Sequence, residues 1–183
     1  MSEITKGWAR LSRKTNAVVV SAAVTVAVGM TLPAPAQAYV GTGNLKNYAT
    51  GRCLDSDFNG NVYTLPCSPP YFNLHQLWEP ILQYRGDGIA GSPHRFDLVV
   101  LKNRATNRCL ARMDNGALRT TVECDDNEWN SAREWYAQGS SWNKVIFSLW
   151  WGNTSYAVDS NHAGQSYAQT WNGGQHQQWN FIA

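Results

Sequence analysis

Through most of the chain, apolar and polar residues alternate in short runs rather than at helical spacing. Asn61–Leu65, Phe96–Leu101, Leu118–Val122, Val145–Trp150 and Gln165–Gln169 read as strands by residue type or by period-2 alternation. Turns are signalled at Asn59-Gly60, Asp87-Gly88, Asn115-Gly116 and Asn172-Gly173. No stretch beyond residue 38 keeps a helical period for three turns, so the pattern predicts an all-β domain.

One run breaks the pattern. Ala17–Met30 is predominantly apolar and without charge, follows Lys6, Arg10, Arg13 and Lys14, and precedes the small-residue stretch Ala36-Gln37-Ala38. This is the layout of an export signal cleaved after Ala38. Its 14 residues fall short of the roughly 20 that a bilayer-spanning helix needs. The expectation is a signal peptide over residues 1–38, one domain over 39–183, and a secreted, extracellular product without membrane insertion.

The domain is built by repetition. Leu45-Lys46-Asn47-Tyr48-Ala49-Thr50-Gly51-Arg52-Cys53-Leu54-Asp55 matches Leu101 to Ala111 at eight of eleven places, and a worn third copy runs from Leu149 through Thr154 to Asp159. Each copy closes on a tryptophan, at Trp78, Trp135 and Trp179. The repeats span about 40–86, 87–138 and 139–183. Tryptophans that recur whatever their neighbours are expected in the core, and of the adjacent Trp150 and Trp151 one is expected to face out. Three copies are too few for a propeller, which uses about four or more blades, and a closed threefold β structure fits better.

Export changes how the cysteines and the charge are read. All four cysteines lie in the first two repeats, and an oxidising compartment favours pairing them. Repeat symmetry selects Cys53 with Cys67 and Cys109 with Cys124 among the three possible pairings. In the third repeat the same places hold Ala157 and Trp171, a small residue against a large one that is expected to fill the space of a disulfide. Removing the leader leaves eleven basic residues against twelve acidic ones, a balance that gives no long-range attraction to nucleic acid or to anionic membranes.

The order Arg-Cys-Leu-Asp, Asn-Gly, a strand ending in Cys, then Gln-x-Trp resembles the ricin B-chain type lectin domain, over nearly all of Val40–Ala183. The resemblance implies a β-trefoil with three pseudo-repeats, two of them holding an intra-repeat disulfide: six hairpins, three forming a short barrel and three a cap. It also implies a sugar site in each competent repeat, made of an Asp after the first Cys position, an aromatic ring on the next strand and a polar pair at Gln-x-Trp. A carboxylate accepts hydrogen bonds from neighbouring hydroxyls, while a ring covers the apolar C–H face of a sugar.

Repeat one presents Asp55, Tyr63, His75 and Gln76, and repeat three presents Asp159, Tyr167, His176 and Gln177. Repeat two offers Ala111, Thr120, Ala132 and Arg133 and is expected to be blank. The chain departs from the resembled pattern twice. Leu65 and Gln169 stand where the stacking ring usually sits, and histidine replaces the usual Asn of the polar pair. Tyr63 and Tyr167 lie two residues earlier on the same strand face, roughly 7 Å away. The competing interpretation is that both aspartates brace turns, but fold-only residues should persist in all three copies, as the tryptophans do.

No second His or Cys stands at ligand spacing from His75 or His176, so neither a metal nor another cofactor is expected. A glycosidase needs carboxylates about 5 to 9.5 Å apart, whereas Asp55 and Asp159 belong to different lobes. Nucleophile elbow, phosphate loop and zinc-protease motifs are missing from the sequence. The sequence therefore predicts a non-catalytic, secreted lectin with two sites for glycans or polysaccharide, galactose- or xylose-containing by the resemblance. The alternatives are a targeting subunit for a separately encoded secreted enzyme or toxin, and a trefoil that has lost sugar binding and acts as an inhibitor or scaffold.

Overall fold

A computed structural model describes residues 41–69, 71–84, 96–124, 132–139 and 143–183. The leader expected over 1–38 and the turn expected at Asp87-Gly88 lie outside these residues. The described chain is all-β, with twelve strands: β1 (Gly43–Asn47), β2 (Arg52–Ser56), β3 (Val62–Pro66), β4 (Leu77–Tyr84), β5 (Asp97–Asn103), β6 (Cys109–Arg112), β7 (Leu118–Thr121), β8 (Glu134–Gln138), β9 (Ile146–Trp151), β10 (Thr154–Ser160), β11 (Ser166–Thr170) and β12 (Trp179–Ile182). No helix among the described residues is long and apolar enough to cross a membrane.

Six strands pair in a closed ring, in the order β1, β4, β5, β8, β9, β12 and back to β1. The link from β9 to β12 is made by Val145, just before β9, which exchanges two 2.8 Å backbone hydrogen bonds with Trp179. Closure leaves this ring without an exposed edge. The other six strands form three hairpins, β2–β3, β6–β7 and β10–β11, joined to the ring through β1, β5 and β9.

The hairpins hold one another in a cycle. Gly60 O, at the first hairpin's turn, accepts from Thr120 N at 2.9 Å; Gly116 O, at the second, accepts from Ala168 N at 2.8 Å; Gly164 O, at the third, accepts from Thr64 N at 2.8 Å. These glycines have φ of +80°, +82° and +90°, a region that side chains strain to enter. At Gly60 an added Cβ would also fall 2.6 Å from Thr120 O. Packing and backbone conformation thus demand glycine at the same point.

The core is threefold in content. Trp78, Trp135 and Trp179 are fully buried, and their indoles donate to Leu54 O (2.9 Å), Leu110 O (3.1 Å) and Val158 O (2.9 Å). Leu45, Leu101 and Leu149 fill corresponding places among them. The indole bonds tie each repeat's closing tryptophan to its own hairpin, so the core and the hairpins that carry the polar residues are set together. Both disulfides join the partners that repeat symmetry selects, Cys53 with Cys67 and Cys109 with Cys124. In the third repeat Ala157 is buried and Trp171 half-exposed, the same division as in repeat one, where Cys53 is buried and Cys67 exposed. Trp150 is exposed.

Candidate functional site

Asp55 and Tyr63 are direct partners across β2–β3, as Asp159 and Tyr167 are across β10–β11. Cross-strand partners sit on one face of a sheet, about 4.5–5.5 Å apart at Cβ. After β3 and β11 the chain makes a single 3₁₀ turn, Leu74–Gln76 or Gln175–Gln177, which brings the His-Gln pair back over the carboxylate. His75 Nδ1 lies 2.6 Å from Ser56 O and His176 Nδ1 lies 2.6 Å from Ser160 O. A carbonyl only accepts, so Nδ1 carries the proton in both rings and Nε2 is left for another partner. The two clusters share one construction.

Gln76 and Gln177 are buried, and their amides are engaged by backbone. Gln76 donates to Pro66 O (3.1 Å) and accepts from Ser68 N (2.8 Å); Gln177 donates to Thr170 O (3.0 Å) and accepts from Asn172 N (2.9 Å). Each also lies beside its carboxylate and lowers its proton affinity. They fasten the turn to the strand and aim the Asp.

The carboxylates are the unusual feature. Asp55 is 2% exposed and Asp159 4%, and neither forms a salt bridge among the described residues. Burial pushes both acids above the ordinary 3.8; Asn73, Gln76, the neighbouring His75 and Tyr63 oppose it at Asp55, and Gln177, the neighbouring His176 and the Ser160 backbone do so at Asp159. Tyr63 and Tyr167 are shifted up too, by burial first and then by the facing aspartates. The clusters differ at the turn, where Asn73 Nδ2 donates to Asp55 Oδ2 at 3.1 Å and Gly174 takes that place in the third repeat.

Repeat two lacks this construction, with one correction to its alignment. Ala111 pairs with Arg119, so Arg119 and not Thr120 occupies the place of Tyr63. Thr120 N bonds Gly60 O as Thr64 N bonds Gly164 O, which fixes Thr120 as the counterpart of Thr64. The cysteine separation is 15 here against 14 in repeat one, and the extra residue lies beyond Arg119. The guanidinium reaches across to Asn61 Oδ1 and Asn59 O, tying the second hairpin to the turn of the first. An open depression lined by Met113, Asp114, Asn115, Ala117 and Arg119 adjoins it, with neither ring nor buried acid. At the Gln-x-Trp place, Arg133 bonds Glu123.

Asn47 and Asn103 are the residues that sequence reasoning passed over. Both are fully buried. Asn103 Nδ2 donates to His75 O at 2.7 Å, and Asn47 Nδ2 to His176 O at 2.6 Å, so each braces a cluster in another repeat. Their Oδ1 atoms accept from backbone N–H groups of the following turn. The third repeat has Trp151 at this position, and the cluster it would brace is the blank one, at Ala132. The signal was present in the repeated Leu-Lys-Asn.

Among the described residues no three His, Cys, Asp or Glu side chains converge as a metal site would require. No protein-family profile matches the chain, and no curated protein is recognisably related to it.

Proposed function

We propose that the chain is an exported β-trefoil lectin of the ricin B-chain type, non-catalytic, with one sugar site at Asp55, Tyr63 and His75 and a second at Asp159, Tyr167 and His176. The closed six-strand ring and the cycle of hairpin hydrogen bonds support the trefoil. Disulfides in two repeats support export.

One observation carries the functional reading. Two buried carboxylates that face a histidine but form no salt bridge among the described residues are costly to a fold, yet they occur twice in the same setting and are replaced by Ala111 where the facing tyrosine and histidine are also gone. A group that costs stability, recurs with its whole surroundings and is lost with them is kept for binding. In this scheme Asp55 and Asp159 form the floor. Tyr63, Tyr167 and the outward Nε2 atoms of His75 and His176 meet the sugar hydroxyls, while Gln76 and Gln177 hold the floor in place. Sites of this kind bind weakly, at about millimolar Kd, and two on one chain gain by avidity on a polymer.

The test is retention on insoluble polysaccharides together with a glycan array, for the unaltered protein and for Asp55→Ala, Asp159→Ala and the double variant. Each single change is expected to weaken retention and the pair to abolish it. Full retention by a folded double variant overturns the assignment.

A further inference from the structure

Leu65 and Gln169 are both exposed and place no aromatic ring beside the carboxylates. A ring stands instead at the tip of each hairpin. Phe58 is 67% exposed, and its ring centroid lies 5.0 Å from that of His75 with the planes at 90°. His162 holds the corresponding place in the third repeat, 5.4 Å from His176 with the planes at 88°. A single exposed phenylalanine is unremarkable; a right-angled corner of two rings kept in two repeats through a change from Phe to His is not. The corresponding places in repeat two hold Asp114 and Ala132, so the corner is missing where the acid and tyrosine are missing. The turn that carries these positions persists in all three hairpins through Gly60, Gly116 and Gly164, and the fold therefore does not need the rings.

We propose that Phe58 and His162 are the stacking walls of the two sites, each covering the C–H face of a neutral pyranose whose hydroxyls meet the Asp-Tyr-His cluster. The inference rests on the lectin reading above. A benzene ring offers more apolar face than an imidazole, so the first site is the tighter one for sugars with a continuous C–H face. Specificity then differs between the sites by a residue at the hairpin turn rather than on the strand.

The test is titration with lactose and with xylotetraose, followed by site-resolved amide and indole shifts. Phe58→Ala is expected to weaken the first site about tenfold, the upper end of what one aromatic contact contributes, without changing the third. Phe58→Tyr restores the affinity, and His162→Phe strengthens the site in the third repeat. If Phe58→Ala leaves first-site affinity unchanged while Asp55→Ala abolishes it, the wall is refuted and the lectin reading stands. If neither probe shifts any resonance of the unaltered protein, both fall together.

Discussion

Asp55 faces Tyr63 directly across β2–β3, in a site so enclosed that the acid gains its proton more readily than in water. Burial is the main cause, and it sets the sign of the pH dependence. Below 3.8 the acid is protonated in both folded and unfolded chains and stability is intact. As pH rises through the raised folded value the unfolded chain has already released its proton, so stability falls. Asp55→Asn removes the ionisation and keeps the shape. It is expected to raise the melting temperature at pH 7 and to leave it unchanged at pH 3, while sugar binding at the first site is lost. Thermal unfolding at the two pH values checks this, and a variant less stable at pH 7 contradicts it.

The bond from Asn103 to His75 crosses a repeat boundary, as does that from Asn47 to His176. Asn103→Ala is expected to cost about 1–3 kcal/mol, because it leaves His75 O and two turn amides without their partner. It should weaken the first site while sparing the third, and Asn47→Ala should do the reverse. Urea unfolding gives the stability change and site-resolved titration gives the crossing pattern. Loss confined to the repeat that carries the substitution would contradict the bracing role.

Gly60 and Gly173 both have positive φ, +80° and +69°, but only Gly60 meets an obstruction, Thr120 O at 2.6 Å from an added Cβ. Gly173→Ala is expected to cost about 1 kcal/mol from backbone strain alone. Gly60→Ala should cost clearly more, since it also pushes the first and second hairpins apart. Equal melting temperatures for the two variants would show that the hairpin cycle contributes nothing.

Replacing Cys53 and Cys67 with alanine opens a loop whose closure is worth about 3 kcal/mol in the chain-entropy model. Urea unfolding is expected to show a loss of that order. The Cys109–Cys124 pair encloses a loop one residue longer and should give a similar loss. A loss below about 1 kcal/mol for both would mean that the hairpins are fixed by their mutual hydrogen bonds instead.

Much of this arrangement was legible in the chain because repetition exposes it. The cysteine pairing, the three core tryptophans and the turns at Gly60 and Gly116 follow from what recurs. The turn at Gly164 was harder, since it follows Ala163 rather than the Asn that marks the other two. Strands β2 and β6 escape notice because successive residues are buried on both faces, which removes the alternation, and β4 is masked by Pro80 within it. The counterpart of Tyr63 in repeat two was misplaced because the extra residue lies after Arg119, where only strand register fixes its position. The burial of Gln76 and Gln177 behind the carboxylates needed coordinates, since the sequence gives a polar pair but not which way it turns.

The central claim is that two equivalent clusters bind sugar and the middle repeat does not. Counting the perturbed sites as lactose or xylotetraose is titrated into the unaltered protein, Asp55→Ala and Asp159→Ala tests it most directly. The account predicts two sites, falling to the one in the third repeat for Asp55→Ala and to the one in the first for Asp159→Ala. A site at the β6–β7 hairpin, or two sites surviving in either variant, would contradict it.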